Sequence, residues 1–248
     1  MPSRSAASQL SRRATSGLGW ILCLLIPAYA WTVFWAPIDS VQGVMQKILY
    51  VHPPLAYGAY LGFVVTAIAG GLFLWRGQER HDQLAVAAAE VGTIFCTLML
   101  VTGPIWARGA WGPGNWWVWD ARLTLTLLLW FVYLAYLLLR SFTDGDERTA
   151  RFASIYGIVG VVLIPLNYWI IDLVGGRTQH PQNIERGSLG EGMGLPFLLG
   201  NLTFFFAFVY LLVLRWQTAI LLFDAGVDAG VDAGVDEDAA GDRLPDRR

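Results

Sequence analysis

The chain has 248 residues, of which 55% are hydrophobic and only 15% charged, and its formal net charge is −2. Soluble domains carry about 25% charged residues, so this composition, with its recurring apolar runs, excludes an ordinary soluble domain and indicates a multi-pass protein of the lipid bilayer. No basic excess points to nucleic acid, and there is no Gly-x-x-x-x-Gly-Lys-Ser/Thr loop, so an ATPase working with this chain would be another protein.

Six apolar runs predict six membrane-spanning helices, and therefore an all-α bundle. The first run is longer than the apolar region of a typical signal peptide, contains Pro27 and lacks a small-residue cleavage site, so we interpret it as a retained span. The runs cover approximately residues 18–36, 55–75, 84–106, 123–139, 152–171 and 195–214.

Two polar segments flank the predicted six-span domain, which covers residues 18–216. Residues 1–17 form a short N-terminal segment. Residues 217–248 form a tail that from Asp224 repeats Asp-Ala-Gly-Val three times and holds eight of the 19 acidic residues. Such a segment has too little apolar surface to build a core, so we expect a disordered acidic tail.

The distribution of basic residues predicts the orientation of the bundle. An even number of spans puts both termini on one side, and that side holds 12 of the 17 Lys and Arg residues. By the positive-inside rule both termini are cytoplasmic. His52, the tryptophan-rich loop and His180 then share the external face, whereas His81 falls in a cytoplasmic loop.

The tryptophan-rich loop lies between the third and fourth apolar runs, where residues 111–119 hold four of the 12 tryptophans. Such residues form either an interfacial belt or a flat platform for a ligand. Asp120 is the predicted N-cap of the fourth helix. Arg122 in the first turn is disfavoured by the helix dipole, which predicts a partner, either Asp120 or an external anion. If that helix begins early, Trp116, Trp119 and Asp120 share one side of it.

The two external histidines each have an ordinary interpretation as solvated residues, His52 at a helix start and His180 in a polar loop. Together, beside a tryptophan-rich loop, they suggest a haem held by two axial imidazoles, with aromatic faces against the macrocycle. The haem propionates would need cations, and five basic residues lie on the predicted external side: Lys47, Arg108, Arg122, Arg177 and Arg186.

Two other classes of protein remain open from the residues alone. An integral b-type cytochrome that passes electrons would carry paired histidines within its spans. A permease that moves haem or another substrate through the bundle would show broken helices and polar residues at mid-membrane, for which Pro27, Pro165 and Asn167 are candidates. No nucleophile–base pair indicates a hydrolytic enzyme, and Cys23 and Cys96 lie in apolar runs outside any Cys-x-x-Cys-His haem-attachment motif.

The run Trp-Trp-Val-Trp-Asp-Ala-Arg-Leu-Thr at 116–124 resembles the signature of the tryptophan-rich, haem-handling membrane proteins of cytochrome c maturation, and its Asp-Ala-Arg continuation resembles their CcmC branch. Residues 36–43 and 48–54 are similar to that family's first external loop and first ligand histidine, and His180 falls at the position of the second. The sequence departs from the pattern in its three residues 113–115, in Pro181 after the second histidine, and in the acidic tail.

The resemblance implies that haem b binds transiently at the external face of the cytoplasmic membrane, with His52 and His180 as iron ligands. It also implies delivery of haem to the chaperone CcmE, in association with the ABC transporter subunits CcmA and CcmB and the small membrane protein CcmD. The protein would then be a haem-transfer protein rather than an enzyme. The residues expected to form the platform and to orient haem or contact the chaperone are Trp111, Trp116, Trp117, Trp119, Asp120 and Arg122.

Overall fold

The computed structural model describes residues 4–112, 114, 116–142, 146–175, 180–181, 184 and 187–241, with side chains omitted for 4–12, 110–111 and 224–241. The described residues are helical and contain no strand beyond one isolated bridge between Asp39 and Gly43. Six segments are long and apolar enough to cross a membrane. The predicted six-helix membrane bundle is therefore confirmed.

The described residues form seven α-helices and one 3-10 helix. The second span consists of the 3-10 helix and α2, and the fifth span consists of α5 and α6. The bounds are α1 Arg4–Trp35, the 3-10 helix Val44–Tyr50, α2 His52–Arg76, α3 Glu79–Trp111, α4 Ala121–Ser141, α5 Glu147–Gly160, α6 Leu163–Leu173 and α7 Gly194–Gly241.

The fifth span breaks at Val161 and Val162, where the sequence predicted one continuous helix. Pro165 explains the break, because proline lacks the N–H that would bond to the carbonyl four residues earlier and its ring collides with that carbonyl. Helix α5 closes with the Val161 N–H bonded to the Gly157 carbonyl, and α6 starts afresh at Leu163. As a result α6 is a separate element of 11 residues.

Helices α2 and α3 form the closest pair in the bundle. A Cβ atom on Gly62 would lie 2.6 Å from the Gly92 Cα atom, so the two backbones are in direct contact there. Without a hydrophobic driving force between helices in lipid, such small residues favour association through close packing. The core continues toward α4, where the Phe63 ring stacks on the Tyr133 ring with 3.7 Å between the ring centroids.

Helix α7 extends through Gly241, into the segment for which the composition predicts disorder. The disorder expected for this acidic segment stays a prediction. Residues 242–248 of the tail lie outside the described residues. The domain boundaries at residues 17 and 217 stay predictions.

The alternation of helix directions gives the bundle two ends that differ in chemistry. We call one the histidine end: it carries His52, residues 112–120 and His180. We call the other the charged end: it carries the α2–α3 and α4–α5 connections, with the Asp82–Arg140 salt bridge between α3 and α4.

Candidate functional site at the histidine end

His52 is the first residue of α2, as the Pro53-Pro54 pair predicted, and its ring is oriented by α3. Its Nδ1 atom lies 3.0 Å from the Thr102 hydroxyl. That hydroxyl has one proton, which it donates to its own helix, with the Leu98 carbonyl at 2.9 Å. The hydroxyl oxygen therefore accepts from His52 Nδ1–H, and Nε2 keeps its lone pair, the state in which imidazole binds a metal.

Two more residues of α3 enclose the His52 ring. The Trp106 ring meets it edge-on at 5.9 Å between centroids, and Trp106 Nε1 donates to the Gln42 side chain at 2.7 Å. Gly103 leaves room for the imidazole, since a Cβ atom there would lie 3.2 Å from His52 Cε1. We did not identify Thr102, Gly103 or Trp106 as site residues from the sequence, because the apolar pattern does not tell which face of α3 meets His52.

His180 has the same arrangement of its ring nitrogens. Its Nδ1 lies 2.8 Å from the Pro181 carbonyl, and Nδ1–H donates to that oxygen. The Arg122 guanidinium lies 3.5 Å from the same nitrogen, and because a guanidinium only donates, this contact is electrostatic. His180 Nε2 therefore also keeps its lone pair.

Burial lowers the pKa of His180, because the charged imidazolium loses its water. The nearby Arg122 charge lowers this pKa further, whereas the Pro181 carbonyl and Asp120 raise it. The net direction is downward, so the ring is neutral near pH 7. The two histidines also belong to one electrostatic environment, because a charge on either ring would act on the other.

Arg122 is held between α4 and α6. Its Nε donates to the Asn167 carbonyl at 3.2 Å and its Nη2 to the Tyr168 carbonyl at 3.0 Å. The expected partner Asp120 accepts from the Arg122 backbone N–H at 2.9 Å and also from Leu123, which confirms Asp120 as the N-cap of α4.

Residues 116–120 are not helical, because α4 begins only at Ala121 after the extended cap residue Asp120. The helix does not begin early, so Trp116, Trp119 and Asp120 do not share a helical face. Trp119 is 77% exposed and Trp116 46% exposed, so both present aromatic surface. Trp117 lies further in, edge-on to Trp119 at 5.8 Å, and its buried indole N–H has no acceptor among the described residues.

The basic residues expected to neutralise propionates have different positions. Lys47 donates to the Val33 and Phe34 carbonyls at 2.9 and 2.8 Å, and therefore caps the C-terminus of α1. The Arg108 guanidinium lies 4.7 Å from the Trp116 ring centroid, a cation–π contact. Arg108 and Arg122 are thus the described cations nearest the aromatic loop and the histidines. Arg177, Arg186 and the side chain of Trp111 lie outside the described residues.

Comparison with known proteins shows which family this sequence is similar to. The family model described as heme exporter protein C matches residues 2–228. A protein named heme exporter protein C from Haemophilus influenzae is 33% identical over 209 residues, which are 82% of this chain and 83% of the relative. Its namesake from Escherichia coli K12 is 33% identical over 81% of each chain. A putative cytochrome c biosynthesis ccmC-like mitochondrial protein from Marchantia polymorpha is 33% identical over 84% of this chain and 87% of the relative.

Proposed function

This chain belongs to the heme exporter protein C family, CcmC, and from that premise we propose that it binds haem at the histidine end for cytochrome c biogenesis. His52 and His180 are the axial ligands of the iron in this proposal. The observation that carries it is the matched state of the two rings. In each, Nδ1–H is donated to the protein and Nε2 keeps its lone pair.

The surroundings of the two rings fit haem b. Trp116 and Trp119 offer exposed aromatic faces to a flat apolar macrocycle, and the buried Trp117 indole N–H lacks an acceptor that a propionate would supply. Arg108 and Arg122 supply positive charge beside these groups. When bound, haem supplies an iron centre, and the protein's contribution is to ligate, orient and release it.

The direction of transfer is part of the proposal. The excess of Lys and Arg at the charged end favours a cytoplasmic location for that end, which puts the haem site at the external face of the cytoplasmic membrane. Transient binding there suits delivery of haem to the chaperone CcmE. The lack of a nucleotide-binding loop in this chain fits association with CcmA and CcmB, and CcmD completes the proposed complex.

A haem titration of the purified protein in mild detergent, followed by visible spectroscopy, tests this proposal. We expect a low-spin spectrum with two histidine ligands, which His52→Ala and His180→Ala each abolish. His81→Ala is the matched control, because His81 lies in the first turn of α3, roughly 37 Å along that helix from Trp106. Retention of the same spectrum in the double His52→Ala, His180→Ala variant would overturn the proposal.

A permease that moves haem through the bundle is a second candidate, favoured by the broken fifth span with its buried Asn167. Lipid vesicles that contain the protein and enclosed haem would separate the two functions. A haem efflux that His180→Ala leaves unchanged would favour the permease. Efflux that requires both histidines would favour a binding site on the path of transfer.

A further inference from the structure

Asn167 is completely buried in α6 and links three helices through its side-chain amide. Nδ2 donates to the Thr126 hydroxyl of α4 at 2.8 Å, and Oδ1 accepts from the Tyr60 hydroxyl of α2 at 3.3 Å. A buried amide is costly in an apolar environment unless it is hydrogen-bonded, and a satisfied network selects one arrangement of the helices that share it.

The same residue has a reciprocal contact with Arg122. Asn167 Nδ2 lies 3.4 Å from the Arg122 carbonyl, and Arg122 Nε donates to the Asn167 carbonyl at 3.2 Å. The side chain of each residue therefore bonds to the backbone of the other. This pairing sets the distance between α4 and α6. It also orients the guanidinium, whose Nη1 atom lies 3.5 Å from His180 Nδ1.

Polar contacts with α4 fix the position of helix α6 in the bundle. The break at Val161 and Val162 separates it from α5, and the helix packs mainly against α4. Residues 176–179, which follow it, lie outside the described residues. The Asn167 side chain and the carbonyls of Asn167 and Tyr168 are the described polar groups that fasten this short helix to α4 and to Arg122.

We propose that Asn167, supported by Thr126, is a positioning residue that holds the Arg122 guanidinium beside the iron ligand His180. The inference rests on the proposed haem site and extends it inward to a residue that touches neither haem nor iron. Its consequence is electrostatic. A fixed cation close to the proposed iron ligand would favour the reduced form of bound haem, which carries one positive charge fewer, and would offer charge to a propionate.

The test uses the full-length protein loaded with haem, and measures haem affinity and reduction potential. We expect Asn167→Leu to weaken haem binding about tenfold, the order of one hydrogen bond between a displaced Arg122 and a propionate, and to lower the reduction potential while the two-histidine spectrum persists. Thr126→Val should shift the potential in the same direction by a smaller amount, and Thr126→Ser, which keeps the hydroxyl, should restore it.

Two controls make the result specific to Arg122. Asn201→Leu removes a half-buried amide whose described bond, to the Phe197 carbonyl at 2.8 Å, stays within α7, and should leave the potential unchanged. In an Arg122→Leu background, Asn167→Leu should add no further shift, because both changes remove the same charge effect. Additive shifts, or an unchanged potential in folded Asn167→Leu and Thr126→Val, would overturn the inference. If the inference fails in this way while His52→Ala and His180→Ala still abolish haem binding, the proposed function stands.

Discussion

The two ends of the bundle use their charged residues in opposite ways. At the charged end, arginines pair with carboxylates across helices: Arg140 with Asp82, and Arg215 with Glu90. At the histidine end, Lys47 and Arg122 donate to backbone carbonyls and Arg108 lies over an aromatic ring, while the carboxylates of Asp120 and Asp172 act on Arg122 through space.

Two carboxylates at the histidine end accept hydrogen bonds from backbone N–H groups. Asp39 accepts from the N–H groups of Val41 and Gln42, which hold the pKa of its carboxyl below the usual range, and Asp120 caps α4. A carbonyl neutralises an arginine less than a carboxylate does. The two ends therefore differ in how their cations are held: by carboxylates of other helices at the charged end, and by backbone carbonyls and an aromatic ring at the histidine end.

The largest effect expected from this comparison is a stability loss at the charged end. Arg140→Ala would leave Asp82, which is 1% exposed, with a buried and uncompensated charge, at a cost of about 3 kcal/mol in the free energy of unfolding. Arg122→Ala removes hydrogen bonds to the Asn167 and Tyr168 carbonyls and should mainly lower haem affinity. Both variants should be tested by thermal unfolding in detergent and by haem titration. The comparison would be contradicted if Arg140→Ala mainly lost haem affinity and Arg122→Ala mainly lost stability.

A methyl group beside His52 should weaken ligation without removing any polar group. Gly103→Ala would put a Cβ atom 3.2 Å from His52 Cε1, so the ring must shift. We expect about tenfold weaker haem binding, since a ligand displaced from its geometry loses affinity on this scale. The matched control is Gly71→Ala on α2, where the nearest atom to a new Cβ lies 4.0 Å away. Equal affinities in the two variants would contradict the packing around His52.

The pH dependence of haem binding should report His180. Its pKa is lowered below the ordinary value of 6.5, so the neutral ring persists to lower pH than in a solvated histidine. Below the lowered pKa, protonation competes with iron, and affinity should fall about tenfold per pH unit. A pH titration of haem binding should therefore have its midpoint below 6.5. A midpoint above 6.5 would show that the ring is not desolvated as in the structure.

The smallest effect concerns one hydrogen bond in the tryptophan loop. Trp117→Phe keeps an aromatic ring and removes the indole N–H that has no acceptor among the described residues. If a propionate accepts from it, affinity should fall about fivefold, which corresponds to the ~1 kcal/mol net value of a typical hydrogen bond. Trp119→Phe, at a ring that is 77% exposed, is the control and should change affinity less. Equal losses would assign both rings to stacking alone.

Features that depend on short stretches of chain were predictable. Apolar length identified the six spans, because the thickness of the bilayer requires about 20 such residues whatever their partners. The N-cap Asp120 and the helix start at His52 follow from neighbouring residues, since capping and the Pro53-Pro54 pair act within one turn. The family itself followed from the motif at 116–124 and is confirmed.

Contacts between distant residues were decided only by the tertiary structure. Thr102 meets His52 across 50 positions, and Asn167 meets Arg122 across 45. Hydropathy marks a residue as lying within a span, but nearly every face of such a helix is apolar, so the pattern does not tell which face turns inward. By itself the sequence determined where the chain crosses the membrane and which family it belongs to; packing decided which protein groups the ring of each histidine contacts, because those partners come from distant parts of the chain.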